Sequence, residues 1–221
     1  MAEPARAPVV RVSGAASRSV PPEIAHFTVA VSVADRDRGA ALRRLAERAA
    51  ELRAEITAAG DTVEEVATGP MSARPQQDQR GRDRAFRAGV ALHATAAADP
   101  EALGRLLPRL AARAETTVTG PYWALRPDSA VHRRVRTEAV AAAVERARDY
   151  AAALGARLTG VLEVADPGTG GTRPSPAMFR NEAARGGPGP EETALELEPR
   201  PVEVSAEVEA AFTMSEPDLG G

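Results

Sequence analysis

The sequence contains neither cysteine nor lysine, and each absence excludes a class of chemistry. Without cysteine there is no disulfide framework, no thiolate metal site and no cysteine nucleophile. All 28 basic residues are arginines, so a Schiff-base lysine and the lysine of a phosphate-binding loop are also excluded. Any function must therefore depend on other side chains or on surfaces.

Aromatic residues are scarce, making up 3% of the 221 residues, whereas apolar residues as a whole make up 43%. Alanine, valine and leucine must therefore fill the interior of a chain that is long enough for one domain. No stretch approaches the ~20 apolar residues of a membrane span, and the first residues lack the apolar run of a signal peptide. We expect a cytoplasmic protein, and the net charge of −3 argues against nucleic acid or an anionic membrane as its main partner.

Two segments near opposite ends of the chain alternate apolar and polar residues. Residues 24–33 place Phe27, Val29 and Val31 on one face, and residues 202–212 carry an apolar residue at every even position. Alternation with a period of two predicts strands with one wet face, and hence an antiparallel sheet that is covered on one side. We expect both segments to belong to that single sheet.

Three other segments show helical periodicity. Apolar residues recur at three- and four-residue steps at Leu42, Leu45, Ala49, Leu52 and Ile56, which predicts a helix ending near Gly60. Asp99 and Pro100 are typical of a second helix start, and Pro108 predicts a kink or break within that helix. Asp128 and Ser129 can cap a third helix that runs to about residue 154, with a buried stripe formed by Val140, Val144, Ala147, Ala151 and Leu154.

These patterns predict an α+β fold in which about three helices pack on one face of a mainly antiparallel sheet, in the order β-β-α-β-β-α-β-α-β-β. We expect one domain over residues 9–214, with residues 1–8 and 215–221 disordered. Residues 166–200 are rich in glycine and proline and predict a flexible excursion. The glycine run at 168–172 lacks the helix and lysine that follow a phosphate loop, so we interpret it as part of this linker.

Candidate catalytic and metal-binding residues are few. His26, His93 and His132 lack the close spacing of a metal site, and we interpret them as structural or surface residues. An alternative is a small-molecule-binding or hydrolytic protein in which His26, His93 and Glu23 converge on a pocket between sheet and helices, although no Gly-x-Ser-x-Gly nucleophile motif is present. Arginine clusters at 36–44, 80–87 and 133–136 allow a less favoured nucleic-acid-binding interpretation. Interleaved acids and scarce aromatics favour solvated faces there.

Short elements along almost the whole chain, from about residue 9 to 214, resemble the SIMPL-domain family. The family includes bacterial periplasmic immunogenic proteins and oxidative-stress defence proteins. The matching elements are Val-Ser-Gly at 12–14, Val-Pro-Pro-Glu-Ile-Ala at 20–25, Ile-Thr-Ala-Ala-Gly at 56–60, Phe-Arg-Ala at 86–88, Ala-Ala-Ala-Leu-Gly at 151–155, Gly-Val-Leu-Glu-Val at 160–164, Pro-Ala-Met-Phe-Arg at 176–180, Leu-Glu-Pro at 197–199 and Val-Glu-Val-Ser-Ala at 202–206. We expect two departures from the family, namely that the chain has no secretion signal and that Arg200 stands where a glycine is usual.

The resemblance implies an α+β domain with no catalytic residues to carry over. In bacterial relatives it implies a link to oxidative stress and assembly into large ring- or channel-like oligomers, and the eukaryotic namesake is a kinase-associated adaptor. We therefore expect a bacterial, non-enzymatic, homo-oligomeric scaffold or interaction protein of the stress response, with no cofactor or metal. The candidate interaction residues are Met178, Phe179 and Arg180, in an otherwise polar segment, and Trp123, which we interpret as a core or interface anchor.

Overall fold

The computed structural model describes residues 7–77, 83–166 and 195–218. Its elements follow the predicted order and confirm the α+β class. They are β1 (Val9–Val20), β2 (Ile24–Asp35), α1 (Arg38–Thr57), β3 (Val63–Gln77), β4 (Asp83–Ala97), α2 (Pro100–Ala111), β5 (Thr116–Ala124), α3 (Ala130–Ala153), β6 (Leu158–Ala165) and β7 (Val202–Met214), with one 3₁₀ turn at Gly60–Thr62.

The expectation of a single sheet is wrong, because the strands form two. One sheet has the order β3-β4-β2-β5 and the other β1-β7-β6, so the two alternating segments, in β2 and β7, lie in different sheets. Alternation specifies which face of a strand is buried, but it carries no information about which strand lies beside it. The prediction of wet and dry faces is therefore correct, and the prediction that both segments share one sheet is wrong.

Each sheet belongs to its own compact unit. The first unit contains β1, α3, β6 and β7, and the second contains β2, α1, β3, β4, α2 and β5. We refer to them as the three-strand unit and the four-strand unit. Two compact units are compatible with one domain or with two, so a single domain over residues 9–214 stays a prediction.

The core of the four-strand unit lies between its sheet and helices α1 and α2. Strand β2 is central, pairing with β4 on one side and β5 on the other, both antiparallel. Its predicted apolar face is buried, and Phe27 and Val31 are each only 1% exposed. The helices contribute the leucines and isoleucine expected from their periodicity, namely Leu45, Leu52, Ile56, Leu103, Leu106, Leu107 and Leu110. The second helix begins as predicted, since the Ala102 N–H donates to the Asp99 side chain at 3.0 Å.

Helix α2 continues through Pro108 to Ala111 without the break that its proline suggested. Proline has no N–H, so the carbonyl of Gly104, four residues earlier, receives no helical hydrogen bond from it. The N–H of Leu195 donates to that carbonyl at 2.9 Å instead. Pro108 therefore frees an acceptor to which residues after the excursion attach, and Leu197 packs against the adjacent core.

Replacing Gly104 with alanine should break the hydrogen bond between Leu195 and the Gly104 carbonyl. A Cβ at Gly104 would lie 2.3 Å from the Leu195 backbone oxygen, too close for any side-chain adjustment to relieve. Alanine favours an isolated helix by about 1 kcal/mol over glycine, so a net loss of stability of about 1–3 kcal/mol would come from the clash. Hydrogen exchange should show loss of protection at the Leu195 amide. Retained protection there, with unchanged urea unfolding, would contradict this account.

The core of the three-strand unit lies between helix α3 and strands β1 and β7. The buried face of α3 is an alanine stripe with one valine. The predicted stripe is confirmed at Ala147 and Ala151, which are buried, and wrong at Val140 and Leu154, which are 40% and 37% exposed. Alanine is required because β1 approaches the helix backbone at Gly14, where a larger side chain would not fit. The residues buried on α3 are Val135, Ala139, Ala143, Ala147 and Ala151.

Residues 215–218, which we expected in a disordered tail, make hydrogen bonds to the rest of the three-strand unit. The N–H of Ser215 donates to the Arg157 carbonyl and that of Asp218 to the Leu154 carbonyl, each at 2.9 Å. The Arg157 N–H in turn donates to the Ser215 hydroxyl at 3.1 Å. These bonds connect the end of β7 to the turn between α3 and β6.

Candidate functional site

The structure tests little of the predicted interaction site. Met178, Phe179 and Arg180 lie outside the described residues. Trp123 lies in β5, half-buried, and packs against the core of the four-strand unit. That position is compatible with the core role proposed for it, and its part in an interaction stays a prediction.

Two of the three histidines come together on the face of the four-strand sheet opposite its apolar side. In the β2–β4 register His26 lies opposite Thr95, and Thr28 lies opposite His93. Each histidine Nδ1 is 3.1 Å from the threonine hydroxyl facing it. Both histidine side chains are exposed, so the two histidine–threonine hydrogen bonds lie on an open surface.

Strand β3 leaves space for the His93 ring at Gly69. A Cβ at that position would lie 2.7 Å from His93 Nε2, so the histidine ring occupies the space that a side chain would need. Within residues 7–77, 83–166 and 195–218, no three histidine, aspartate or glutamate side chains are grouped to hold a metal ion. The arrangement supports cross-strand hydrogen bonding as the role of the pair.

Glu23, the third residue of the alternative pocket, takes part in a different arrangement. Its Oε2 accepts the backbone N–H of Arg126 at 2.9 Å, which joins the start of β2 to the residues after β5. The guanidinium of Arg126 donates to Glu64 Oε2 at 2.7 Å, and this hydrogen bond lowers the pKa of Glu64. Glu23 and Arg126 thus hold strand ends together, apart from the histidine–threonine bonds.

A charged cleft of about 300 Å³ opens beside α1 and α2 in the four-strand unit. Glu55 lines the cleft with a side chain only 13% exposed, 2.8 Å from the Arg113 guanidinium and 3.7 Å from that of Arg109. Arg48 and Glu51 form a second pair, at 2.8 Å, along its wall. Since its charges are already paired within the cleft, we interpret it as an ion-pair network that joins the helices.

The three-strand unit carries one strong surface ion pair of its own. Arg18 on β1 donates to both carboxylate oxygens of Glu138 on α3, at 2.9 and 2.6 Å for its closest contacts. This hydrogen bonding lowers the pKa of Glu138 and raises the pKa of Arg18. The pair therefore fixes charges at neutral pH and connects the strand to its helix.

Arginines in the predicted nucleic-acid clusters are partly engaged. Arg44 is 3.0 Å from the carboxylate of Glu115, and Arg87 donates weakly to the Ser32 hydroxyl at 3.4 Å. Two members of the middle cluster, at 80 and 82, lie outside the described residues. The arginine–acid contact supports the interpretation of solvated, internally balanced faces.

Strand β6 is the most apolar exposed element in the part of the chain that the structure describes. It is outermost in its sheet, pairing with β7. Val161 is 63% exposed, Leu162 is 56% exposed and Val164 is 53% exposed. Contiguous apolar exposure of this kind is typical of an interaction surface. The sequence predicted the strand but not its exposure, because exposure depends on how far α3 extends over the sheet.

The architecture is thus that of an α+β protein of two antiparallel sheets whose notable surface is an exposed strand. A family model described as "SIMPL: Protein of unknown function (DUF541)" matches residues 10–212, so the chain belongs to the SIMPL family and the suspected resemblance is confirmed. A search of curated proteins found no match. In the described part of the chain, no helix combines the length and apolar character needed to cross a membrane.

Proposed function

We propose that this SIMPL protein is a non-enzymatic, homo-oligomeric interaction protein connected with the stress response. The exposed apolar surface of β6 is the observation that carries the oligomer. An outermost strand with exposed valine and leucine offers unpaired backbone groups and apolar area together, which is the combination that strand-to-strand association uses. The stress-response connection rests on what the family resemblance implies.

The contacts at the polar clusters also support a binding role over a catalytic one. The histidine pair bonds to threonine hydroxyls and is exposed, and the carboxylate of Glu55 is engaged by arginines. Hydrogen bonds from Arg126 and Arg18 lower the pKa of Glu64 and of Glu138, away from the range of a general acid at neutral pH. These groups are consistent with structural roles.

The mass of the native particle tests the proposal. Light scattering or native mass spectrometry of the purified chain at micromolar concentration should show a multiple of the 23.1 kDa chain mass. An oligomer is expected because covering the apolar side chains of β6 that are more than half exposed lowers the free energy. A species of chain mass alone would reject the oligomer, and unchanged peroxide survival in cells lacking the gene would reject the stress connection.

Partner binding by residues 166–200 is a separate part of the proposal. Met178 and Phe179 are apolar residues in a polar stretch, and co-purifying proteins should be lost from a double alanine variant of these two. Deleting residues 168–190 should leave the far-ultraviolet circular dichroism and unfolding midpoint of the remaining fold in place. Loss of folding on deletion would show that the excursion is structural.

A further inference from the structure

Strand β6 places three apolar side chains on one face, spaced three residues apart. Residues directly opposite each other in an antiparallel pair point to the same face of the sheet. Two of the β7 partners, Ala210 and Phe212, belong to the buried core that contains the alanines of α3, and the third, Met214, is also buried. The register pairs Leu158 with Met214, Val161 with Phe212, and Val164 with Ala210. We name Leu158, Val161 and Val164 the β6 stripe.

Two irregularities in the ladder are needed to make this stripe. In a regular strand, residues three apart point to opposite faces. The register shifts between Leu158 and Gly160, and again between Val161 and Glu163, so that β6 has one extra residue at each place. Each bulge returns the next apolar side chain to the face of the previous one, and the stripe is a consequence of both.

Helix α3 leaves this face of β6 largely uncovered. The helix packs chiefly on β1, at the other side of the three-strand sheet. Between it and β6 lies an open groove of about 500 Å³. Val161 and Val164 are 63% and 53% exposed although they face the helix side of the sheet. Apolar residues line most of the groove, among them Val144 and Phe212, and two arginines, Arg148 and Arg157, line the rest.

The other outer strands carry features that disfavour pairing with another chain. Strand β3 contains Pro70 and Pro75, and β5 contains Pro121. On β1 the carbonyl of Ser13 is already occupied by the Arg146 guanidinium at 2.7 Å. Prolines, charged side chains and bulges are means by which natural sheets protect their edges. Strand β6 has no proline, and of these features it carries only a single charged residue, Glu163, and its two bulges.

We propose that β6 pairs with β6 of a second copy of this chain, antiparallel and about a two-fold axis through Val161. This inference rests on the proposed oligomer and identifies its contact surface. The spacing of the stripe is self-complementary: with Val161 opposite itself, Leu158 of one copy lies opposite Val164 of the other. An isologous contact of this kind requires such a match.

Charge also favours a second copy over an unrelated segment. Arg157 directly precedes β6 and Asp166 directly follows it. Antiparallel pairing about Val161 places Arg157 of each copy opposite Ala165 of the other, one residue from Asp166, so opposite charges lie near each other at both ends of the interface. The result is a six-stranded sheet in which the two stripes meet between the two copies of α3.

A single introduced cysteine tests the two-fold axis, since the chain has no native thiol. In Val161→Cys the two thiols would face each other with Cα atoms ~4.5–5.5 Å apart, within the ~4.4–6.8 Å of disulfides. Added copper–phenanthroline oxidant would take up the two electrons as the thiols lose their protons and form the S–S bond. We expect rapid conversion to a cross-linked dimer. Met71→Cys is the matched control, because Met71 is 62% exposed on the four-strand unit, and it should remain mostly uncross-linked.

Particle mass provides the second measurement. Val161→Arg would bring two arginines face to face and should lower the native mass by about half or more, whereas Met71→Arg should not change it. Circular dichroism checks that each variant is folded. If Val161→Arg does not fold, the cross-linking of Val161→Cys still tests the contact, because cysteine is a smaller change.

Three outcomes would overturn the inference, and they are distinguishable from failure of the proposed function. If the wild type is oligomeric but Val161 variants behave like their Met71 controls, the surface is wrong and the oligomer stands. If the wild type is monomeric and Val161→Cys reacts freely with a maleimide, both are wrong. If it is monomeric and the thiol is protected, another part of the same chain covers the stripe, and the two-fold contact is again excluded.

Discussion

Replacing Gly14 with valine is expected to disrupt the packing of β1 on α3. A Cβ at Gly14 would lie 2.1 Å from the Ala139 backbone oxygen and 2.4 Å from the Ala143 backbone nitrogen. Both are main-chain atoms of a helix, so no rotamer change can relieve the overlap. The facing side chains of α3 are already alanines, so shortening them further would remove contacts from the core.

The expected cost of Gly14→Val is about 3 kcal/mol or more, at the upper end of overpacking effects. That is a large share of the ~5–15 kcal/mol by which domains are stable. Urea unfolding followed by circular dichroism should show a lower midpoint, and hydrogen exchange should show weaker protection of α3 amides. Gly14→Ala should show the same direction of change, because the overlap involves the Cβ itself.

Gly39→Ala is the matched control. Its added Cβ would lie 3.2 Å from the Asp37 oxygen that caps α1 and 3.3 Å from the guanidinium of Arg43, contacts that a shift of a few tenths of an ångström relieves without breaking the cap. Gly39 lies in the first turn of α1, where alanine is favoured over glycine by up to about 1 kcal/mol. An unfolding midpoint that falls as far in Gly39→Ala as in Gly14→Val would refute the close-packing explanation.

The second large effect is expected for Phe27→Ala in the four-strand unit. Phe27 is 1% exposed and lies on the central strand β2, facing the helices. Because the aromatic ring is among the largest fully buried side chains, its removal would leave a cavity bounded by strand and helix side chains. Truncating a buried phenylalanine costs about 3–5 kcal/mol.

Thermal or urea unfolding of Phe27→Ala should show this loss, while Phe27→Leu should recover much of it by refilling the volume. Met71→Ala, at a methionine 62% exposed on β3, should change stability by less than about 0.5 kcal/mol. Equal effects of Phe27→Ala and Met71→Ala would mean that the core is not where this fold places it.

The functional surfaces differ in how far sequence could predict them. Trp123 stands out in the sequence as the single tryptophan, and in the structure it is half-buried and packs against the core. Its part in an interaction stays a prediction. The exposure of Val161 was not predictable, because the same residue would be buried if α3 lay across β6. The convergence of His26 and His93 also required the β2–β4 register, which no short-range pattern encodes.

The same distinction applies to the fold. The sequence by itself determined the type and order of the elements, the buried face of β2 and the start of α2, because side-chain periodicity and capping act within a few residues. Only the tertiary structure decided that β2 and β7 belong to different sheets, that Pro108 frees a carbonyl for Leu195, and that Ala139 and Ala143 lie on the buried face of α3 while Val140 does not. Each of these depends on contacts between residues distant in sequence, where the free energy of packing selects among partners that local patterns leave equivalent.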